Sequence, residues 1–185
     1  YPNLEIHAST QANIHNLEGV KFCEELGIKR VVLARETPFE LIKEIKENTN
    51  CELEIFVHGA LCISYSGQCL FSSLVGGRSG NRGKCAQPCR LPYELLEDKN
   101  GTESVLDKGY LLSPRDLCSL DTLPTLVKLG INSFKIEGRM KTPEYVATVT
   151  RIYRKYIDLA LSGNKYVVDE ADKLDLQQVF NRGGF

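Results

Sequence analysis

Short apolar runs rich in β-branched residues recur along the chain and alternate with longer amphipathic segments. The runs 4–10 (LEIHAST), 30–35 (RVVLAR), 51–59 (CELEIFVHG) and 131–139 (INSFKIEGR) have the length and composition of β-strands. The second run is almost wholly apolar, which is typical of a strand buried on both faces. A shorter extended segment is predicted at 110–117 (YLLSPRDL), which contains a proline. The pattern therefore indicates four main strands.

Apolar positions at three- and four-residue spacing predict helices between these strands. One helix covers 13–26, and a second begins with Thr37 as N-cap, followed by Pro38 at the first helical position and Glu40 completing a capping box. The longest helix begins at Thr142 and ends near the glycine at 163, and shorter helices are predicted before and after it. The apolar faces of these three helices are predicted to be Leu17, Val20, Cys23 and Leu26; Leu41, Ile42 and Ile45; and Val146, Val149, Tyr153, Tyr156 and Ala160.

Alternation of strands and helices through right-handed crossovers gives a parallel sheet of the α/β class. Four such units correspond to about half of a TIM-like (β/α)8 barrel. Residues 1–165 are assigned to this partial barrel, 60–108 to a long Cys-rich insertion loop within it, and 166–185 to the start of a following C-terminal segment. An open doubly wound sheet is the alternative fold, although no G-x-G-x-x-G turn follows any predicted strand.

Composition narrows the class of protein without identifying it. The 185 residues are 42% hydrophobic and 25% charged, which suits a globular domain, and the net charge of −1 gives no whole-chain attraction for nucleic acid or anionic lipid. No apolar run approaches the ~20 residues of a spanning helix, so no membrane partner is expected. The N-terminus lacks both a signal peptide and an initiator Met, which indicates a piece excised from a longer protein. A half barrel has open sheet edges, so a homo-oligomer is a possible state.

Four cysteines carry the most specific chemical signal in the sequence. Cys62, Cys69, Cys85 and Cys89 follow the spacing C-x6-C-x15-C-x3-C, and glycines fill much of the interval between the two pairs. Four thiolates that converge on a flexible segment can surround a soft metal centre. Because structural zinc usually has tighter pairs, the x6 spacing favours a 4Fe–4S cluster, with zinc and free or disulfide-bonded thiols as the alternatives. An odd count of seven cysteines argues against a disulfide scaffold and favours a reducing, cytoplasmic location.

The remaining cysteines and the basic residues of the segment are interpreted separately. Cys23 and Cys51 are predicted to be small buried hydrophobes, and Cys118 is ambiguous. The Cys-rich segment is locally basic, which fits either a solvated loop or a phosphate-binding surface for RNA. The candidate phosphate-binding residues are Arg78, Arg82, Lys84 and Arg90.

Polar residues at the C-terminal ends of the predicted strands are the other site candidates, because a barrel carries its chemistry there. These strand ends read His7/Thr10, Arg35/Glu36, His58/Gly59 and Glu137/Arg139. Lys135, Glu137 and Arg139 alternate along one predicted strand and are expected to share a face, as an inward polar site or a salt-bridge network. Glu54 could point into the barrel or serve as an ion-pair partner. His58 is interpreted as a core histidine or a catalytic one.

A longer motif surrounds the first cysteine pair and resembles a known family. The segment from Glu54 to Ser72 reads E-x-F-x-x-G-A-L-C-x6-C-x-x-S, and it is similar to the signature of the peptidase U32 family, the collagenase-like proteins. The similarity continues through GRSGNRGKCAQPCR, YLLSPRDL, SFKIEGRMK-x-x-x-YV and the terminal NRGGF. The N-terminal barrel half of that family has no counterpart in this chain.

The resemblance implies a function that the family name does not state. Better-understood members resemble hydroxylation factors for tRNA uridine or a ribosomal RNA cytidine, or act in ubiquinone synthesis, and carry a four-cysteine iron–sulfur cluster. Transferred by position, the cluster ligands are Cys62, Cys69, Cys85 and Cys89. The expected protein is an enzyme that hydroxylates an RNA base and that takes tRNA or rRNA, with a small carboxylate such as prephenate as a possible co-substrate. Glu54, His58, Lys135, Glu137 and Arg139 are its candidate catalytic residues.

Two alternatives remain at this point. A metal-dependent collagenase-type peptidase has little local support, because the sequence has neither H-E-x-x-H nor G-x-S-x-G and contains only three histidines. A non-catalytic RNA-binding module stapled by zinc is the second alternative.

Overall fold

The computed structural model describes residues 3–100, 102–180 and 182–183. Its main sheet is built around one long central strand, β3, and a separate hairpin forms a second sheet. The strands are β1 (His7–Ala8), β2 (Arg30–Val32), β3 (Glu52–Ala60), β4 (Tyr93–Lys99), β5 (Thr102–Gly109), β6 (Asp116–Cys118) and β7 (Ser133–Ile136). The helices are α1 (Leu17–Glu25), α2 (Phe39–Glu47), α3 (Phe71–Gly76), α4 (Leu123–Lys128), α5 (Pro143–Leu161) and α6 (Glu170–Val179).

Strands β1, β2, β3 and β7 are parallel, as the alternation of elements predicts. Strand β3 pairs with β2 along its first half and with β7 through a register shift between Phe56 and His58. The short β6 pairs antiparallel with the C-terminal end of β3, where the sequence suggests only an extended segment. The mixed α/β class is therefore confirmed, and closure of the parallel strands into half of a barrel stays a prediction.

The core lies on one face of β3. Leu53, Ile55 and Val57 are buried there in a single cluster with apolar residues of α1, α2, α4, α5 and α6. The alternate residues Glu54 and Phe56 are only partly buried and lie on the opposite face of the strand. One face of the sheet is thus sealed by helices, and the other carries polar and aromatic side chains. Within the described residues, no helix is both long and apolar enough to cross a membrane.

Of the two predicted helix N-caps, the one at Thr142 is confirmed and the one at Thr37 is wrong. Thr142 caps α5, since its side chain accepts a hydrogen bond from the backbone N–H of Tyr145, and Pro143 opens the helix. The capping box at Thr37 does not form, because α2 begins one residue later with Pro38 at the N-cap position and no side-chain cap bond. The Thr37 hydroxyl is buried instead, without a hydrogen-bond partner in the described chain.

The helix faces follow the predicted spacing except at their margins. Val20 and Cys23 of α1, and Val149, Tyr153 and Tyr156 of α5, are buried. Leu26 lies beyond the end of α1 and is exposed, and Val146 of α5 is also exposed. Cys23 and Cys51 are buried, as expected for small hydrophobic residues.

The segment 60–108 contains more regular structure than the predicted insertion loop. Helix α3 and two single-turn 3-10 helices lie within its first half, and β4 and β5 form an antiparallel hairpin in its second half. The hairpin turn contains Asn100, whose φ of 57° is the left-handed conformation that Asn tolerates better than most residues. An Asn-Gly pair between two strand-like runs favours such a turn, so the sequence contained a hairpin signal that the loop prediction did not use.

Candidate functional site

A solvent-open cavity lies beyond the C-terminal end of β3. All four cysteines of the spaced quartet line this space, which we call the cysteine cavity, whereas Cys118 does not. The other polar and charged side chains of its lining are Gln11, Arg35, Asn81, Gln87, Arg90, Glu137 and Arg139. The cavity combines thiols with basic groups.

The four thiols influence one another inside the cavity. Burial raises the pKa of Cys89, and its neighbour Arg90 opposes that effect, while Cys62, Cys85 and Cys69 raise the pKa further. Cys62 is exposed and the other three cysteines are half-buried, so all can be reached from the cavity. Within the described residues, however, no group of three or more His, Cys, Asp or Glu side chains is arranged to hold a metal ion.

The donor set nevertheless fits an iron–sulfur cluster or zinc chemically. Among the residues that the structure describes, four cysteines share one cavity, no histidine lines it, and Glu137 is the only carboxylate in the lining. Soft thiolates without hard oxygen ligands are the donors of 4Fe–4S clusters and of structural zinc. The sequence-based ligand set therefore converges on one place without forming a preassembled metal site, and metal binding stays a prediction.

The first cysteine loop, residues 61–70, is held at its centre by a carboxylate. Glu36 accepts hydrogen bonds from the Ser66 backbone N–H at 2.8 Å and from the Ser66 hydroxyl at 2.9 Å. Burial by itself raises the pKa of Glu36, but these hydrogen bonds outweigh it and hold the pKa below its usual range. The neighbouring Gly67 has φ of +76°, and a Cβ at this position would lie 2.3 Å from the Gln11 carbonyl oxygen. The turn thus packs directly on backbone after β1, and only glycine fits there.

The second cysteine loop, residues 77–90, is tied to the first loop and to the sheet through side chains that donate to backbone oxygens. Asn81 donates to the Gly67 carbonyl at 2.9 Å, and Arg139 donates to the Gly83 carbonyl at 2.6 Å. The Ala86 N–H donates to the hydroxyl of Ser72, at 3.0 Å. These contacts bring the second cysteine pair to the cavity that the first pair lines.

The predicted phosphate-binding residues divide into three at the surface and one within the site. Arg78, Arg82 and Lys84 are exposed on the second cysteine loop, and Arg78 also donates through Nε to the Lys84 carbonyl at 3.0 Å. Arg90 is half-buried, and its guanidinium donates to the Ser113 hydroxyl and to the carbonyls of Pro114 and Leu61. Arg90 therefore fastens the loop to neighbouring backbone, while the other three residues face solvent.

The predicted strand face of Lys135, Glu137 and Arg139 is wrong as a single surface, because β7 ends at Ile136. Glu137 and Arg139 follow the strand and line the cysteine cavity, where the Arg139 backbone N–H donates to Glu137 Oε1 at 2.7 Å. Lys135 lies outside the cavity lining and pairs with Glu54 at 3.1 Å. The structure thus separates the three charges into two environments.

Glu54 belongs to an ion-pair network on the open face of the sheet. It accepts a hydrogen bond from Ser133 at 2.8 Å and lies 3.6 Å from a guanidinium nitrogen of Arg30, in addition to its pair with Lys135. Burial raises the pKa of Glu54, but the hydrogen bonds from Ser133 and Lys135 more than offset this, and the pKa is lowered. The carboxylate is therefore ionised and held by partners, as the ion-pair interpretation of this residue expects.

His58 is a core residue in this chain. Only 1% of it is exposed, its ring packs against Tyr145 and Tyr153, and Nδ1 lies 3.3 Å from the Tyr153 hydroxyl. Burial lowers the pKa of His58 to about 4. The imidazole is consequently neutral at physiological pH, and it does not line the cysteine cavity.

Two groups near the cavity had no role assigned to them from the sequence, although Arg35 was one of the strand-end candidates. Arg35, at the end of the β2 run, lines the cavity and lies 5.0 Å from the centroid of the Phe56 ring. A buried pair of Asp116 and Arg182 lies close enough to influence Lys141, whose pKa is lowered to about 8, first by burial and then by Arg182. Arg35 stands at a strand end, where polar residues gather, so its position was visible in the sequence. The Asp116–Arg182 contact joins distant segments and was not.

Comparison with known proteins places this arrangement in context. The family model described as "Peptidase family U32" matches residues 1–185. A tRNA hydroxylation protein of Bacillus subtilis (strain 168) is 46% identical over 161 residues, covering 85% of this chain and 38% of that protein. A 23S rRNA 5-hydroxycytidine synthase of Escherichia coli (strain K12) is 45% identical over 157 residues, covering 85% of this chain and 24% of that protein.

A protein named collagenase, from Porphyromonas gingivalis (strain ATCC BAA-308 / W83), is 37% identical over 193 residues, covering 97% of this chain and 46% of that protein. The chain therefore spans between 24% and 46% of the length of these three relatives. No solved structure matches it. The family model covers every residue, and the thiol-lined cavity includes residues of the motif from Glu54 to Ser72, so this chain belongs to peptidase family U32.

Proposed function

We propose that this chain is part of an iron–sulfur enzyme that hydroxylates a base in tRNA or rRNA. The observation that carries the proposal is the convergence of Cys62, Cys69, Cys85 and Cys89 on one cavity that also contains arginines. Relatives named for tRNA hydroxylation and for 23S rRNA 5-hydroxycytidine synthesis, at 45–46% identity, support the RNA substrate. The cytoplasm, where these RNAs are found, is the proposed location.

Each part of the site has a role in this proposal. The four cysteines would hold a 4Fe–4S cluster, which supplies one-electron chemistry when bound. Arg78, Arg82 and Lys84 face solvent beside the cavity, so they can contact RNA phosphates without breaking an internal ion pair among the described residues. Glu137 and Arg139 line the cavity, where they are positioned to orient a small carboxylate co-substrate such as prephenate.

The side chains on the open face of β3 also support this proposal. The open face of β3 carries Glu54 and Phe56, and Lys135 lies over that ring at 5.5 Å. In a closed (β/α)8 barrel such a face would become the interior, and polar residues there would stand below the cavity at the strand ends. We propose that the partial barrel is completed by the part of the protein that this chain does not contain, or by a second copy.

Metal analysis of the intact protein tests the cofactor. Anaerobically purified protein is expected to contain iron and acid-labile sulfide in similar amounts and to absorb visible light. Cys69→Ser should abolish or strongly reduce both signals. The matched control is Cys23→Ser, because Cys23 is buried in α1 and does not line the cavity. An unchanged spectrum in Cys69→Ser, or equal loss in the control, would contradict the ligand assignment.

Nucleoside analysis tests the reaction. Mass spectrometry of tRNA and rRNA digests from a deletion strain should show the loss of one hydroxylated nucleoside, and the intact gene should restore it. Zinc in place of iron, with RNA binding and no change in any nucleoside, would favour the zinc-stapled RNA-binding module. Cleavage of gelatin that persists through removal of contaminating proteases and disappears in a cavity variant would favour the collagenase-type peptidase.

A further inference from the structure

Arg35 differs from the other arginines of the cysteine cavity in the hydrogen bonding of its guanidinium. Its Nε is buried and has no hydrogen-bond partner among the described residues. The contact that fixes the side chain is with the Phe56 ring, 5.0 Å from Cζ to the centroid. By contrast, Arg90 and Arg139 donate to backbone carbonyls. A buried donor without a hydrogen-bond partner costs free energy, so the Arg35 Nε is a donor that a ligand in the cavity could satisfy.

The acidic side chains around Arg35 are already engaged. Glu36 is its neighbour in sequence, but both carboxylate oxygens accept hydrogen bonds from Ser66. Glu137 accepts from the Arg139 backbone, and Glu54 is held by Lys135. Within the described residues, no acidic side chain lies within ion-pair distance of the Arg35 guanidinium. The charge of Arg35 stabilises the ionised form of its neighbour Glu36, but none of these carboxylates engages the buried Nε of Arg35.

The geometry around Arg35 suits an incoming oxyanion. An arginine seated on an aromatic ring keeps its planar fork in one orientation, which lowers the entropy lost when the fork binds two oxygens of a carboxylate or a phosphate. Lys135 also lies 5.5 Å from the centroid of the Phe56 ring, but it is paired with Glu54 and lies outside the cavity lining. The Arg35 side chain also lines the cavity that contains the four thiols, which places a bound oxyanion beside them.

We propose that Arg35, supported by Phe56, binds an oxyanion of a substrate in the cysteine cavity. This proposal rests on the function proposed above and deepens it, since it assigns the anion to a strand-end residue that the sequence left without a role. The oxyanion belongs either to a small carboxylate co-substrate or to a phosphate of the RNA, and the two sources share the chemistry that Arg35 recognises. Binding measurements can separate them.

The test compares three variants of the intact, anaerobically purified protein. Arg35→Gln removes the charge, Arg35→Lys keeps the charge and removes the fork, and Arg30→Gln is the control. Arg30 lies in β2, five residues before Arg35, and its guanidinium is hydrogen-bonded to Glu52 outside the cavity. Prephenate binding is followed by isothermal titration, and binding of a fluorescent tRNA transcript by anisotropy at several salt concentrations. Thermal unfolding of each variant is recorded in parallel.

If Arg35 binds the small carboxylate, Arg35→Gln weakens prephenate binding about 10- to 100-fold, Arg35→Lys weakens it less, and RNA affinity is unchanged. If Arg35 binds a phosphate, RNA affinity falls instead and the slope of affinity against salt decreases by about one contact. Unchanged affinity for both ligands overturns the proposal. Loss of thermal stability or of folding in both Arg35 variants, without a separable effect on binding, also overturns it, because the guanidinium then serves the fold.

The proposed function can fail separately from this inference. If no RNA nucleoside changes in the deletion strain, while Arg35→Gln still loses prephenate or RNA binding, the oxyanion assignment stands and the hydroxylation proposal falls. If hydroxylation is confirmed and the Arg35 variants bind both ligands normally, the hydroxylation proposal stands and the oxyanion assignment falls.

Discussion

Replacing Gly59 with alanine tests how the cysteine-bearing segment joins the sheet. Gly59 lies near the end of β3, three residues before Cys62, and its φ is +100°. A Cβ at this position would lie 2.5 Å from the Glu137 carbonyl oxygen and 2.9 Å from the Tyr145 hydroxyl. Those two groups are hydrogen-bonded to each other at 3.0 Å, so neither can move without weakening that contact.

Two costs of the substitution can be separated by a control. An alanine at positive φ costs about 1–2 kcal/mol wherever it occurs. The forced contact with backbone and a buried tyrosine adds about 1–3 kcal/mol. Gly27 has a φ of +75°, and nothing lies within 4 Å of the place that an alanine methyl group would take, so Gly27→Ala carries the first cost alone. We therefore expect Gly59→Ala to lose about 1–3 kcal/mol more of unfolding free energy than Gly27→Ala.

Urea unfolding followed by far-UV circular dichroism measures the difference. The two variants should share one m-value and differ in their midpoints, because only the native state is affected. A Gly59→Ala variant with a midpoint equal to that of Gly27→Ala would refute the reasoning, since the close approach of β3 to Glu137 would then impose no steric limit.

Three further predictions concern stability. Because burial lowers the pKa of His58 from 6.5 to about 4, the unfolded chain binds a proton at this residue before the folded chain does as the pH falls. The free energy of unfolding should therefore drop by about 2 kcal/mol between about pH 7 and 5. Urea midpoints at each pH should show this drop, and the His58→Gln variant should lack it. Thr142→Ala should lower the free energy of unfolding by about 1 kcal/mol, because it removes the α5 cap. Thr37→Val should leave the melting temperature unchanged or raise it, because the Thr37 hydroxyl is buried without a partner in the described chain. Equal losses of stability in the two variants would contradict these helix starts. Asp172→Asn should lower the free energy of unfolding by about 1–3 kcal/mol, because the buried Asp172 carboxylate accepts hydrogen bonds from a tyrosine and a lysine. The matched control is the exposed Asp158, where Asp158→Asn should lower it by less than about 1 kcal/mol in the same melting assay.

Local patterns in the sequence were sufficient for the parallel strands and for most of the helix faces. The apolar alternation of β3 and the periodicity of α5 are repeated over many residues, so single exceptions such as Leu26 do not change the assignment. The failed cap at Thr37 shows the limit of short motifs. Its hydroxyl is taken into the interior by packing after β2, and tertiary burial outweighs a bond worth about 1 kcal/mol.

The site was harder to predict than the fold because its parts come together through long-range contacts. Spacing alone identified the four cysteines, and the structure brings them to one cavity. Spacing could not show that β7 stops at Ile136, which separates Lys135 from Glu137. Nor could it show that the aromatic ring beneath Arg35 belongs to the neighbouring strand, since parallel pairing of β2 with β3 decides that contact.

The way the two cysteine loops are fastened has a consequence for metal binding. Both loops are anchored by individual hydrogen bonds, such as those from Ser66 to Glu36, from Asn81 to the Gly67 carbonyl and from Arg139 to the Gly83 carbonyl. Each such bond contributes on the order of 1 kcal/mol, so the loops can adjust at modest cost. Since the described thiols share a cavity without forming a metal site, closing them around a metal must draw on its binding free energy. If the four cysteines bind a metal as proposed, weakening an anchor that is not itself a ligand should reduce metal retention before it unfolds the sheet.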